Sequence, residues 1–104
     1  MQRQVLKSKI HRAVVRDKNS EYEGSITIGK ELMDAADLWS YEKVLVADLN
    51  NGNRFETYVI EGISKEIIVN GAAAHLVEIG DKLTIMAFAV TDEPIKPKIY
   101  KLFY

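Results

Sequence analysis

Hydrophobic and polar residues alternate along much of this chain with a period of two, the spacing of a strand that buries one face. From Val5 to Val15 the alternation puts Leu6, Ser8 and Ile10 on one face and Lys7, Lys9 and His11 on the other. Ile26-Thr27-Ile28 reads as a short strand ended by Gly29. Lys43 to Leu49 contains the apolar run Val44-Leu45-Val46-Ala47, which predicts a strand covered on both faces. Arg54 to Ile60, Ile67 to Val69 and Lys82 to Thr91 read as further strands. The period changes to three and four only between Lys30 and Leu38, where Leu32, Ala35, Ala36 and Trp39 fall on one stripe of a helix.

Turn chemistry separates these segments. Asp17-Lys18-Asn19-Ser20 is a polar turn signal, and Asn50-Asn51-Gly52-Asn53 predicts a tight hairpin, because Asn and Gly tolerate positive φ. Arg54 to Ile60 therefore doubles back beside Lys43 to Leu49. Asn70-Gly71 stops the next strand, Ala72-Ala73-Ala74-His75-Leu76 suits one helical turn, and Gly80-Asp81 leads into the last long strand. Pro94 and Pro97 bracket a basic and aromatic tail, Lys96 to Tyr104, whose role is not legible. Six or so strands with one helix predict a mainly β fold, a small β-barrel with short helices, in a single domain of residues 1–104.

Composition narrows the function classes. At 104 residues the core is modest, so apolar surface stays uncovered unless subunits associate. A formal charge of −1 argues against a nucleic-acid partner; Arg12, Lys96, Lys98 and Lys101 make no phosphate-binding stripe. Without cysteine there is no disulfide and no thiolate nucleophile, as expected of a reducing cytoplasm. His11 and His75 are the only histidines, and the carboxylates lack metal-ligand spacing, so no metal is expected. The N-terminus has no apolar segment of signal-peptide type and the chain no 18-residue apolar run, so the expectation is a cytoplasmic protein without a membrane partner.

Four segments carry the candidate chemistry: Lys9-Ile10-His11-Arg12, Tyr22-Glu23-Gly24-Ser25, Asn51-Gly52-Asn53-Arg54-Phe55-Glu56-Thr57-Tyr58 and Asn70-Gly71-Ala72-Ala73-Ala74-His75. In this order the chain resembles the aspartate 1-decarboxylases, pyruvoyl-dependent enzymes that make β-alanine, from about Leu6 to about Phe88. Arg16, Lys18 and Ser20 depart from the usual family pattern before the Gly-Ser pair. The resemblance implies a double-ψ β-barrel, assembled as a homotetramer with its sites between subunits. It implies self-cleavage between Gly24 and Ser25 into residues 1–24 and 25–104, and a pyruvoyl cofactor derived from Ser25. The substrate would be L-aspartate and the product would feed pantothenate and coenzyme A synthesis; an accessory maturation factor is a further partner that the resemblance allows.

The chemistry of a Gly-Ser bond agrees with this. A serine hydroxyl is a weak nucleophile, but its own preceding carbonyl lies within reach of a five-membered ring, so a strained backbone favours attack and converts amide to ester. Gly24, lacking Cβ, can take unusual φ/ψ and leaves that carbonyl accessible. β-Elimination then leaves a dehydroalanine that hydrolyses to the pyruvoyl group. Such a ketone forms a Schiff base with an amino acid and accepts the electrons released with carbon dioxide. Arg54 suits the clamp on the substrate's side-chain carboxylate, because a guanidinium meets a carboxylate with two parallel hydrogen bonds, and Lys9 supplies a second charge. Tyr58 is the candidate acid that reprotonates the carbon. The resemblance adds Thr57, Asn70 and Ala72 to the substrate site, with Ala73 and Ala74 as small walls and backbone donors beside the cofactor.

On a regular strand Arg54 and Tyr58 share a face roughly 13 Å apart while Thr57 points away. A bulge, a site wrapped around the strand edge or a subunit interface would bring them together. Two other readings stand beside the decarboxylase: a non-processed β-barrel binding module with Gly24-Ser25 as an ordinary loop, and a metal-free hydrolase using Ser25 with His11 and an acid.

Overall fold

The alternating segments become strands because each offers one apolar row to a shared interior. The computed structural model describes residues 1–102, and the end of the basic-aromatic tail, Phe103 and Tyr104, lies outside the described residues. Among the described residues there are eight strands: β1 (Arg3–Val14), β2 (Asp17–Asn19), β3 (Ser25–Gly29), β4 (Lys43–Asp48), β5 (Arg54–Gly62), β6 (Ile67–Asn70), β7 (Lys82–Thr91) and β8 (Lys98–Lys101). They follow the order β2-β6-β3-β5-β4-β7-β1-β8 in one sheet. The mainly β expectation with short helices is met, and a single sheet in this order is consistent with a barrel. One α-helix, α1 (Lys30–Ala36), and one 3₁₀ turn, η1 (Gly71–Leu76), complete the elements. No helix among the described residues is long and apolar enough to cross a membrane.

The predicted hairpin forms: β4 and β5 are antiparallel, with Ala47 opposite Arg54 and Lys43 opposite Tyr58. β1 pairs with β7 along nearly its whole length, with register shifts between Leu6 and Ser8 and between His11 and Ala13. Arg12, with φ 70°, sits at the second shift, which is why simple alternation fails there. Inward rows from neighbouring strands supply the core, among them Ile10, Ile26, Ile28, Val46, Val59 and Ile85, all buried.

Several expectations need correction. Trp39 does not join the helix stripe; it is 77% exposed, because α1 ends at Ala36 and Asp37 turns left-handed at φ 54°, ψ 51°. Leu32, Met33, Ala36 and Leu38 fill the interior instead, while Ala35 is only half-buried. Removing the fully buried Leu32 side chain would cost about 2–5 kcal/mol. Asp17–Asn19 is a strand and not a turn, because it pairs in parallel with Ile68, Val69 and Asn70 and this pairing overrides its turn propensity. The β4 run, by contrast, is covered as predicted: Val44, Val46 and Ala47 are buried and Leu45 is half-buried. The illegible tail contains β8, which runs parallel to Ser8–His11 of β1, a long-range pairing without a local signature.

Candidate functional site

β3 begins at Ser25, where the chain leaves the exposed loop of Tyr22, Glu23 and Gly24 for the interior. Its side chain is only 1% exposed. Across the antiparallel ladder Ser25 stands opposite Asn70, the last residue of β6. The buried Asn70 amide donates from Nδ2 to Ser25 Oγ at 3.0 Å and to Thr27 Oγ1 at 3.1 Å. Ser25 and Thr27 are two apart on β3, so both hydroxyls lie on the face that Asn70 covers. The Ser25 hydroxyl donates to the Glu23 carbonyl at 3.4 Å.

The loop before Ser25 is held from the other side by the start of η1. Gly71 has φ +76°, and a Cβ built on it would fall 2.6 Å from Gly24 Cα. Gly24 is not among the residues with positive φ, and a Cβ there would meet nothing within 4 Å. The backbone freedom belongs to Gly71, which allows η1 to pack against the Gly24 backbone. Lys18, one of the departures from the family pattern, donates to the Val77 carbonyl at 2.8 Å and so ties the upstream segment to the end of η1.

Tyr58 joins this neighbourhood through the parallel pairing of β3 with β5. Ile26 stands opposite Val59 and both are in the core. Ser25 and Tyr58, each one residue earlier, therefore share the other face of adjacent strands. Tyr58 is 36% exposed, and its ring lies 6.4 Å from that of Tyr41, tilted by 35°. Thr57 falls on the opposite face, paired with Val44. No register shift interrupts β5 against β4 between Arg54 and Tyr58, so these two stay roughly 13 Å apart along one face. Lys9, on β1 between Met86 of β7 and Ile99 of β8, belongs to a strand that does not neighbour β3. The single chain thus brings together Ser25, Asn70, Tyr58 and the Gly24 loop, places Ala72, Ala73 and Ala74 directly after Gly71 in η1, and leaves Arg54 and Lys9 apart.

A serine hydrolase is not built here. The partners of Ser25 Oγ are Asn70 and the Glu23 carbonyl, whereas His11 Nδ1 lies 3.4 Å from Thr84 Oγ1. The four segments mark neither the packing of Gly71 on Gly24 nor Thr27, which shares the Asn70 amide with Ser25. Asn-Gly after a strand is the signal for the first, and the two-residue spacing from Ser25 is the signal for the second.

A family profile described as aspartate decarboxylase matches residues 1–101. The chain belongs to the aspartate decarboxylase family. The family expected from the four segments is the one found, and with it the expectation of an enzyme, a decarboxylase. Among curated relatives, the aspartate 1-decarboxylase of Thermoanaerobacter pseudethanolicus is 51% identical over 105 residues, covering 95% of this chain and 90% of that protein. That of Caldicellulosiruptor saccharolyticus is 54% identical over 104 residues, covering 97% of this chain and 81% of the relative. That of Clostridium kluyveri is 53% identical over 103 residues, covering 97% and 80%. Family membership thus extends over strands well beyond the Gly24-Ser25 loop, including β1 and β7.

Proposed function

We propose that this chain decarboxylates L-aspartate to β-alanine, in supply of pantothenate and coenzyme A, using a pyruvoyl group made from its own Ser25. The observation that carries the reading is the pairing of Ser25 with Asn70. A buried serine hydroxyl at the first residue of a strand receives an amide hydrogen bond at 3.0 Å, beside a glycine that is open where its Cβ would stand, in a chain of this family.

Maturation follows from those contacts. Ser25 Oγ attacks the Gly24 carbonyl carbon, the peptide nitrogen leaves as an amine and an ester forms. Loss of the Ser25 α-proton with rupture of the Cβ–Oγ bond gives a Gly24 carboxylate and a dehydroalanine. Water then releases ammonia and leaves the pyruvoyl group on residues 25–104, with residues 1–24 as the second fragment. The residues fit this precursor role: Asn70 aims its amide at the oxygen on which charge develops, and Gly71 holds the Gly24 backbone.

The pyruvoyl ketone supplies an electron acceptor for the departing carboxylate. Tyr58, on the face shared with Ser25, donates the proton that replaces carbon dioxide. Arg54 holds the substrate's side-chain carboxylate in a two-point grip and Lys9 adds charge. Because these two lie apart from Ser25 within one chain, they act across a subunit boundary in a homotetramer. Exposed apolar side chains support such an assembly, notably Trp39 and Tyr41, each 77% exposed, and Ile63, 76% exposed. Thr57, Asn70, Ala72, Ala73 and Ala74 complete the walls of the site.

Intact-mass measurement of the purified protein, paired with an assay for β-alanine, tests the reading. The expected result is two chains divided between Gly24 and Ser25, with β-alanine formed, and a Ser25→Ala variant that stays whole and inactive. A single uncleaved, inactive wild-type chain would favour a binding module of the same fold. A Ser25→Ala protein that decarboxylates at the native rate would overturn the mechanism.

A further inference from the structure

We infer that Thr27 is a positioning residue for self-cleavage, acting through Asn70; this rests on the reading of Ser25 given above. The Asn70 side chain is 4% exposed, so both hydrogens of its amide need partners inside the protein. They have two: Ser25 Oγ at 3.0 Å and Thr27 Oγ1 at 3.1 Å. One bond alone would leave the carboxamide free to rotate about its last torsion. Two bonds, diverging to the hydroxyls of Ser25 and Thr27 on one face of β3, fix its plane and therefore the direction of the hydrogen aimed at Ser25.

Thr27 is itself fixed from the next strand. A Cβ on Gly62 of β5 would fall 2.6 Å from Thr27 Cγ2, so the threonine methyl occupies the space that a side chain at position 62 would take. A β-branched residue has few χ1 choices on a strand. Seating its methyl over Gly62 settles the choice and turns Oγ1 toward Asn70. Gly62 thus fixes Thr27, Thr27 fixes Asn70 and Asn70 reaches Ser25.

The step that profits is the elimination. The Cβ–Oγ bond breaks, its electron pair leaves with Oγ as part of the new Gly24 carboxylate, and the Ser25 α-hydrogen departs as a proton. An amide hydrogen held toward Oγ stabilises that charge as it forms. Once Oγ has left, residue 25 no longer carries the hydroxyl that Asn70 bonded. Thr27 remains on the same strand and retains the amide, so the pocket wall does not reorganise between precursor and mature protein.

The test compares self-cleavage rates of the full chain, followed by intact mass, for wild type, Thr27→Val and Thr27→Ser, with melting temperatures measured alongside. Thr27→Val keeps the branched shape and loses the hydroxyl; it is expected to cleave about 3- to 10-fold more slowly, the worth of one hydrogen bond. Thr27→Ser keeps the hydroxyl and is expected to cleave near the wild-type rate. Cleavage of Thr27→Val at the wild-type rate would overturn the inference, as would equal slowing in both variants, which would assign the effect to the methyl. If Thr27→Val does not fold, Thr27→Ser against Thr27→Ala decides in the same way: faster cleavage with serine supports the role and equal rates overturn it. A wild-type chain that never cleaves removes the reading of Ser25 and this inference with it, whereas normal wild-type cleavage with an unaffected Thr27→Val removes only the inference.

Discussion

Gly71 lies so close to Gly24 that a Cβ on it would stand 2.6 Å from Gly24 Cα and 2.8 Å from Gly24 N. Residue 71 also needs φ +76°, a conformation that side chains with a Cβ resist. Gly71→Ala therefore carries a torsional cost of about 1 kcal/mol or more and a steric one, and the steric one falls on the loop to be cleaved. The expected outcome is a folded but less stable protein whose cleavage is slowed by at least ~10-fold. Gly24→Ala, with nothing within 4 Å of its Cβ, should change the melting temperature far less. Thermal melts and intact mass of the two variants check this; equal behaviour would mean that the Gly71 contact does not restrain the loop.

How much of this was legible in the sequence depends on the range of the interaction. The β4–β5 hairpin was readable because its turn residues and its alternation are local. The strand character of Asp17–Asn19 and of Lys98–Lys101 was not, since each exists only by parallel pairing with a distant segment. Trp39 was misplaced because the helical spacing continues past Ala36, whereas the helix itself stops at the left-handed Asp37. In the site, Ser25, Asn70 and Tyr58 were named from motif segments, and β-sheet register unites them. Arg54 was named with them, but no period-two reading places it near Ser25, and the regular β5 keeps it away.

Asp48 gives a stability prediction separate from the site. It is 2% exposed, and its carboxyl is pushed up to about 6, first by burial and then by a hydrogen bond with Asp81, against the backbone N–H groups of Asn50 and Asn51, which favour the charge. Its buried Oδ2 has no hydrogen-bond partner, and a proton there would supply one by bridging toward Asp81. The folded chain therefore holds this proton between about pH 4 and 6 while the unfolded chain has lost it. Its contribution to stability is full below that window, falls as pH rises through it and is gone above about pH 6. Asp48→Asn supplies a permanent N–H toward Asp81 and keeps an acceptor for Asn50. In the uncleavable Ser25→Ala background it should raise stability at pH 7.5 by on the order of 2 kcal/mol and flatten the decline between pH 4 and 6. Denaturation curves of the two proteins across this range check it, and parallel pH profiles would exclude the shared proton.

Arg54 tests the shared site. Arg54→Lys keeps the charge and loses the planar fork, so the protein should cleave normally and bind aspartate about 10- to 100-fold more weakly, as a rise in KM. A hybrid assembly of Ser25→Ala chains with Arg54→Ala chains should regain part of the activity if Arg54 serves a neighbour's Ser25. Steady-state kinetics and mixing of separately purified variants after dissociation measure both effects. Hybrids as inactive as either parent would return Arg54 to its own chain or to the surface.

Tyr58 separates turnover from maturation. The residue shares a face with Ser25, but the acyl shift starts from the Ser25 hydroxyl, whose partners are Asn70 and the Glu23 carbonyl, so cleavage does not call on the tyrosine. Tyr58→Phe removes one oxygen and keeps the ring that packs beside Tyr41 at 6.4 Å, so fold and cleavage should persist. The defect should come after carbon dioxide leaves, when the carbanion-like product needs a proton and must take one from water or a poorly placed group. A fall in kcat of ~10²–10⁴ with little change in KM is expected, the usual loss for a positioned acid. The measurement is made on one preparation: the fraction of chain cut between Gly24 and Ser25 by mass, and β-alanine formed per cleaved chain. Full cleavage with unimpaired turnover would remove Tyr58 from proton transfer. Absent cleavage in a protein with a normal melting temperature would move the hydroxyl from turnover to the acyl shift, where its place on the Ser25 face would equally serve.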